Sequence, residues 1–578
     1  MWKELKVSLL QKSVLSNRII LIGIIIIIAS SALFWIITAS SSPFQPPIVN
    51  DDVKNKGDSS SVSKDNEDRD PQDYYLRGEA SLNDTAYAEG KQLSVKNERY
   101  MCGTPFASST YYMEEYYVPL TCSQPVGITV DSSNRIWFVA TWSGYLVVFD
   151  PDLRQFVDFI EIPNWKTKGT FGSMVWGMEF DVQGNLWFTD QVNDAIWRYF
   201  VTEKRFEMYK VPAIASYPQG ISFDSQGKVW FSEIFGKRIG VLDPNKVIDN
   251  TTQGIVEYPF DEIEYETLGP VLISRNQNDT IWFTAVTYPE GGNVVSFNTT
   301  SKNFTLYDLP KGSGVPIGVA EDNAGILWIN DHATNLFLRF DPKTSQVTKY
   351  STSLPTSRND TTTLPYWNIA KDDKIWFNEH EGNAIAYFDI ANSTLVEYQI
   401  PTRGVLWGNT SNPLKFTIDN EGSIWFTEWS ENKIGVLQSS KITDLPLWLT
   451  VSKNMITLDT SSGSGDTLLI HLYPNNSHFS EQSEVNSKPI HSIPVKITTA
   501  TSITSSGKLW NITTKLDNDT IYFGNDNVTG IKSYHYIPNS IEMEVKPIDG
   551  LLPGNYTLTI GARYESISYS KIINLVVT

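Results

Sequence analysis

The sequence predicts an all-β protein: a seven-bladed β-propeller, then a C-terminal β-sandwich, with one N-terminal transmembrane helix ahead of both. Three observations carry this. An apolar residue followed by Trp, and usually by Phe, recurs seven times, at Trp137, Trp187, Trp230, Trp282, Trp328, Trp376 and Trp425, with intervals of 43 to 52 residues. Alternating apolar runs without that marker fill residues 445–578. A run of twenty residues without a charge, Ile19 to Thr38, precedes both.

That run comes first in the chain. As a helix rising about 1.5 Å per residue it spans roughly 30 Å, the thickness of a bilayer core. Lys3, Lys6, Lys12 and Arg18 precede it against a single Glu4, and the first charges beyond it are Asp51 and Asp52. The positive-inside rule therefore puts residues 1–18 in the cytoplasm, 19–38 in the membrane and the bulk of the chain outside the cell. A cleaved signal peptide is the alternative, because Thr38-Ala39-Ser40 offers small residues, although the apolar run exceeds a usual signal core. Thirteen Asn-X-Ser/Thr sequons, from Asn83 to Asn555, suit an extracellular glycoprotein. Cys102 and Cys122 are the only thiols. In an oxidising compartment a bridge across that short loop stabilises by about 3 kcal/mol, and a reduced buried pair is the alternative.

Composition excludes several classes. Acidic residues outnumber basic ones 65 to 46, and a net charge of -19 repels nucleic acid. An aromatic content of 12% with 18 Trp is not that of a disordered chain. Residues 39–99 are the exception: rich in Ser, Asp, Asn and Lys, they read as a flexible stalk.

Residues 100–444 hold the repeat. In one copy, Gly220 to Asp224, Val229 to Glu233, Arg238 to Asp243 and Ile255 to Pro259 are four short segments rich in Val, Ile, Phe and Trp, bounded by Gly, Asp or Pro. That is the strand signature. Seven four-stranded sheets, none able to bury both of its faces alone, pack radially as a propeller. One outer strand, near Tyr116, lies ahead of the first Trp and is expected to complete the last blade beside Trp425 and Ile434, closing the ring without a free edge. In residues 445–578, runs such as Thr467 to Leu472 and Tyr556 to Gly561 suggest an immunoglobulin-like sandwich.

The recurring Pro-x-Gly-Ile, Trp-Phe-x-Glu and Lys-Ile-Gly, best seen in Ile424 to Glu428 and Asn432 to Gly435, resemble the virginiamycin B lyase (streptogramin lyase) family of seven-bladed propellers over residues 114–440. Gluconolactonase-like and NHL-repeat propellers are more distant resemblances. The family resemblance implies a funnel at one end of the axis, a divalent cation such as magnesium, and ring-opening elimination of a cyclic depsipeptide antibiotic. Carried over residue by residue, it makes Glu428 a metal ligand. It also places the family's Glu-x-His at Asn412 and Leu414, and its other His at Tyr366 or Trp367. None of these four supplies an imidazole to take the α-proton.

Other candidate residues follow from the repeat itself. An acid recurs at the end of five Trp units, Asp190, Glu233, Asp331, Glu379 and Glu428, with Ala140 and Ala285 in the other two blades. Converging near an axis, such carboxylates suit Mg²⁺ or Ca²⁺; otherwise each caps a turn in its own blade. His332 and His380 directly follow two of the acids and are candidates for acid-base work, or one of each pair is simply packed. Trp176, Gln219, Tyr366 and Trp367 are candidates to line a funnel for a small molecule, a glycan or a peptide of a surface protein, or else are core. The expected function is a membrane-anchored binding module facing a small molecule, glycan or surface protein. The alternative is a metal-dependent lyase or lactone hydrolase acting on cyclic depsipeptides or lactones.

Overall fold

The computed structural model describes residues 103–578 except 166–172, 261–266, 275, 277–279, 287–290, 311, 354–361, 405–409, 476–477, 479–493, 506–507, 510–512, 518, 527–532, 538–539 and 549–550. The expected membrane span at 19–38, the stalk and Cys102 lie outside the described residues. Among the described residues no helix is long and apolar enough to cross a membrane.

One turn explains most of the repeat. Asp224, six residues before Trp230, accepts hydrogen bonds from the backbone N–H groups of Gln226 and Lys228 at 2.9 Å and from the Trp230 indole N–H at 2.9 Å. Asp131, Asp181, Asp322 and Asp419 hold Trp137, Trp187, Trp328 and Trp425 in the same way. A single carboxylate thus forms an Asx turn and satisfies a buried indole, which fixes the spacing from turn to Trp. Gly227, with φ 75°, supplies the left-handed residue that the hairpin needs.

Each hairpin extends into an antiparallel sheet. In the third blade the order is Pro218–Phe223, Val229–Glu233, Arg238–Leu242 and Ile255–Pro259. Seven such sheets occur, and their innermost strands touch in sequence order, with the first, Pro125–Val130, against the last, Pro413–Ile418. The ring is closed by Met113–Tyr117, which pairs antiparallel with Lys433–Leu437 so that Tyr116 faces Ile434. The inner strands approach so closely that a Cβ on Gly318 would collide with the carbonyl oxygen of Tyr366 on the next blade. Four blades carry glycine at this place; the fourth carries Pro270, and the last two carry Trp367 and Lys415.

Among the described residues, 445–578 form two larger sheets and a two-stranded one, Thr504–Ser505 with Lys508–Leu509. Leu447–Val451, Asp466–Pro474, Ser540–Lys546 and Thr513–Leu516 make one. The other larger sheet, built around Gly554–Tyr564 and Ile567–Val577, is not separate from the ring. Ile567–Val577 pairs antiparallel with Thr394–Gln399, the outer strand of the sixth blade, with Val396 opposite Tyr569, giving one ten-stranded sheet. The core is shared as well: Trp376, Tyr387 and Tyr398 of the ring pack in one cluster with Leu447, Ile470 and Ile560.

Candidate functional site

The second strand of each blade ends where the first begins, as in the pairing of Pro218 with Glu233 and of Pro413 with Glu428. The five recurring acids therefore occupy equivalent positions, yet they divide into two kinds. Asp190 and Asp331 are turn caps. Asp331 accepts from the backbone N–H groups of Gly314 and Val315 at 2.8 and 2.7 Å and from the Thr334 hydroxyl at 3.0 Å. Asp190 accepts from Asn193 at 2.7 Å and from the Trp197 indole at 3.0 Å.

The three glutamates, one methylene longer, reach across their own sheet to a glutamate on the outer strand. Glu233 faces Glu257, Glu379 faces Glu397 and Glu428 faces Glu115. The outer glutamate sits opposite a small residue in each case: Gly240, Ala386 and Gly435. Each outer glutamate also holds the chain leaving the preceding blade, accepting from the N–H of Ala213 at 2.8 Å, Ser353 at 2.9 Å and Thr402 at 2.7 Å. Two buried carboxyl groups that face each other disfavour both being ionised. Burial first, then the facing glutamate, pushes the carboxyl of Glu233 up to about 8 and those of Glu379 and Glu428 well above the usual range. Each glutamate faces one glutamate of its own blade while Asp190 and Asp331 cap turns, so the five acids are not gathered at one point as the ligands of a divalent cation would be. Among the described residues no three of His, Cys, Asp and Glu come together in a way that would hold a metal ion.

A different group converges on the axis. Trp176, from the second blade, and Tyr366, from the sixth, lie 5.4 Å apart between ring centroids, and the Tyr366 hydroxyl hydrogen bonds to Gln219 of the third. His332 packs edge-on against Tyr366 at 4.5 Å and stacks on His380 at 5.2 Å and 9°. His380 in turn hydrogen bonds to Asn412. Leu414, Val126 and Trp429 close the other side, with Met174 and Trp176 against them. Side chains from blades on opposite sides of the ring thus meet across the axis and fill it at this level. Burial, with the neighbouring His380, pushes the His332 imidazole down to about 3, and burial pushes His380 down to about 4, so both are neutral at physiological pH. The indole N–H of Trp176, Oε1 of Gln219 and Nδ1 of each histidine are buried without a hydrogen-bond partner.

Trp367 is not part of that group: the Lys415 ammonium lies 2.7 Å above the centroid of its ring. Burial pushes Lys415 well below the usual lysine range, opposed by the exposed Glu179. This Lys415, Trp367 and Glu179 group did not stand out in the sequence. Its signal was the loss of glycine at the inner-strand position in the last two blades. Cys122 is buried and disulfide-bonded.

A sequence profile of the virginiamycin B lyase family matches residues 108–252 and 250–462. Among solved structures, a streptogramin B lyase is 25% identical, with a TM-score of 0.47 and coverage of 57% of this chain and 97% of its own. The selenomethionine-substituted virginiamycin B lyase of Staphylococcus aureus is 23% identical, with a TM-score of 0.46 and coverage of 56% and 98%. A catalytically inactive variant of that enzyme with quinupristin matches at 23% identity, a TM-score of 0.45 and the same coverage. No curated protein matches the chain.

Proposed function

The chain belongs to the virginiamycin B lyase family, and from that premise we propose that it is a recognition member of the family. In this reading, residues 19–38 anchor it in the membrane and present the propeller outside the cell as a binding platform for a small molecule, glycan or surface protein. The terminal domain, of immunoglobulin-like type, braces the platform through the sixth blade. The observation that carries the reading is the filled axis. Where the family resemblance asks for a Glu-x-His there are Asn412 and Leu414, and Leu414 is 2% exposed within an apolar cluster. Without an ionisable base at that place, the α-proton of a cyclic depsipeptide has no acceptor.

One observation favours a second reading, a lyase or lactone hydrolase with a relocated base. His332 and His380 are neutral, and their Nδ1 atoms lack partners. A neutral imidazole with an open lone pair is a proton acceptor, here a weak one because burial disfavours its charged form. Incubation of the purified full chain with quinupristin, followed by mass spectrometry, separates the two. The expected result is intact ring over hours, in the wild type and in His380→Ala alike. Ring opening by the wild type that disappears in His380→Ala would overturn the recognition reading.

A further inference from the structure

The fourth blade departs from the others on the face it turns to the fifth. Opposite the repeat Trp, the third strand carries Val148, Arg198, Val241, Arg339, Tyr387 or Val436 in six blades. In the fourth the residue opposite Trp282 is Ser296, and opposite Ser296 on the outer strand is Thr305. Cross-strand neighbours share a face, so the bulk that covers the other tryptophans is replaced here by two hydroxyls. A cavity of about 310 Å³ occupies that space. Thr280 and Asn303 complete its polar wall, and Tyr307, 5.7 Å from Trp282 and 5.2 Å from Phe340, closes the aromatic side.

The lining has a definite chemistry. Its described lining contains hydroxyls, amides and aromatic rings, and among the described residues no Asp, Glu, Lys, Arg or His. A charged ligand would be desolvated there without a partner for its charge. A purely apolar ligand would leave the Ser296 and Thr305 hydroxyls facing it without hydrogen bonds. A neutral pyranose meets both demands, because its hydroxyls match the Ser, Thr and Asn wall and its C–H face packs on aromatic rings. We propose that this cleft on the flank of the fourth blade is a binding site for a neutral sugar. It lies near the start of the second strand, at Thr280, whereas the axial group gathers at the other end of the strands, so it stands independently of the axial reading.

The sugar has two possible sources. Asn303, Phe304 and Thr305 form a sequon whose Asn and Thr both line the cleft, and Asn303 is exposed. A glycan carried on Asn303 could fold back into the cleft, or a free glycan could enter it.

The test uses the full chain made in a host without N-glycosylation, titrated with N,N′-diacetylchitobiose, cellobiose and maltose by saturation-transfer NMR and calorimetry. Saturable binding of at least one sugar is expected, weakened about tenfold or more by Ser296→Val. Valine is what three other blades carry at this place, and an unchanged melting temperature confirms that the variant folds. No saturable binding, or binding that Ser296→Val leaves unchanged, overturns the proposal. Chain from a secreting eukaryotic host distinguishes the sources. Binding lost on glycosylation and restored by Asn303→Gln assigns the cleft to the protein's own glycan. Undiminished binding, or a bare Asn303, assigns it to a free one.

Discussion

A chain ended at residue 444 is expected to lose its soluble fold, although all seven blades remain in it. The truncation removes Ile567–Val577 from beside Thr394–Gln399 and leaves the sixth blade with an open edge. That edge is apolar on both faces: Leu395, Val396 and Tyr398 are all buried in the intact protein. An unpaired strand of this kind templates association with other chains. The cut also uncovers the ring's share of the common core, including Trp376, Tyr387 and Tyr398. Exposure of each such side chain costs about 1.5–3 kcal/mol. For a domain of this size the melting temperature falls by roughly 10 °C or more. Size-exclusion chromatography and differential scanning calorimetry of the truncated and full chains check this. A monomeric truncated ring with the full chain's melting temperature would show that the sixth blade does not depend on its extra strands.

This dependence marks where sequence reasoning stopped. The repeat of Trp and Phe made the blade count readable, and the outer strand ahead of Trp137 pointed to the closing pair of Met113–Tyr117 with Lys433–Leu437. Both signals are local and periodic. The pairing of Thr394–Gln399 with Ile567–Val577 links segments far apart in the chain and has no periodic mark, so the terminal sheets read as a separate sandwich. Trp176, Gln219 and Tyr366 are candidates in the sequence either to line a funnel or to pack in the core, and the structure brings the three together. Trp367, their neighbour in sequence, points elsewhere, since successive residues of a strand face opposite ways. The acids were ambiguous for a reason of length. Aspartate reaches only its own turn, while glutamate reaches a partner two strands away that only an alignment of whole blades reveals.

The paired glutamates also set the response to pH. Glu233 is fully buried, and its carboxyl is pushed up to about 8 by burial and Glu257, with Asp194 adding to the rise and Arg238 opposing it. Glu379 is raised in the same sense against Glu397 with Arg563 opposing, and Glu428 against Glu115 and Glu431 with Lys433 opposing. A carboxyl whose folded value exceeds its unfolded value binds its proton more tightly when folded. Its stabilisation is complete below the unfolded value near 4.5 and is lost as pH rises through the folded value. His332 and His380 act in the opposite sense: their lowered values favour the fold above about 6.5 and weaken it as pH falls towards 4. Above pH 6.5 the histidines are silent; the three raised glutamates are expected to lower the melting temperature between pH 6.5 and 9, and buried Lys415, whose value is lowered, opposes that fall. Glutamine keeps the donor that the protonated acid supplies and cannot ionise. Glu233→Gln and Glu379→Gln should therefore flatten the decline and leave the variants a few kcal/mol more stable than wild type at pH 9. Calorimetric melts at half-unit steps decide the matter: equal slopes for wild type and the double variant would mean that the two carboxyls are ionised in the fold.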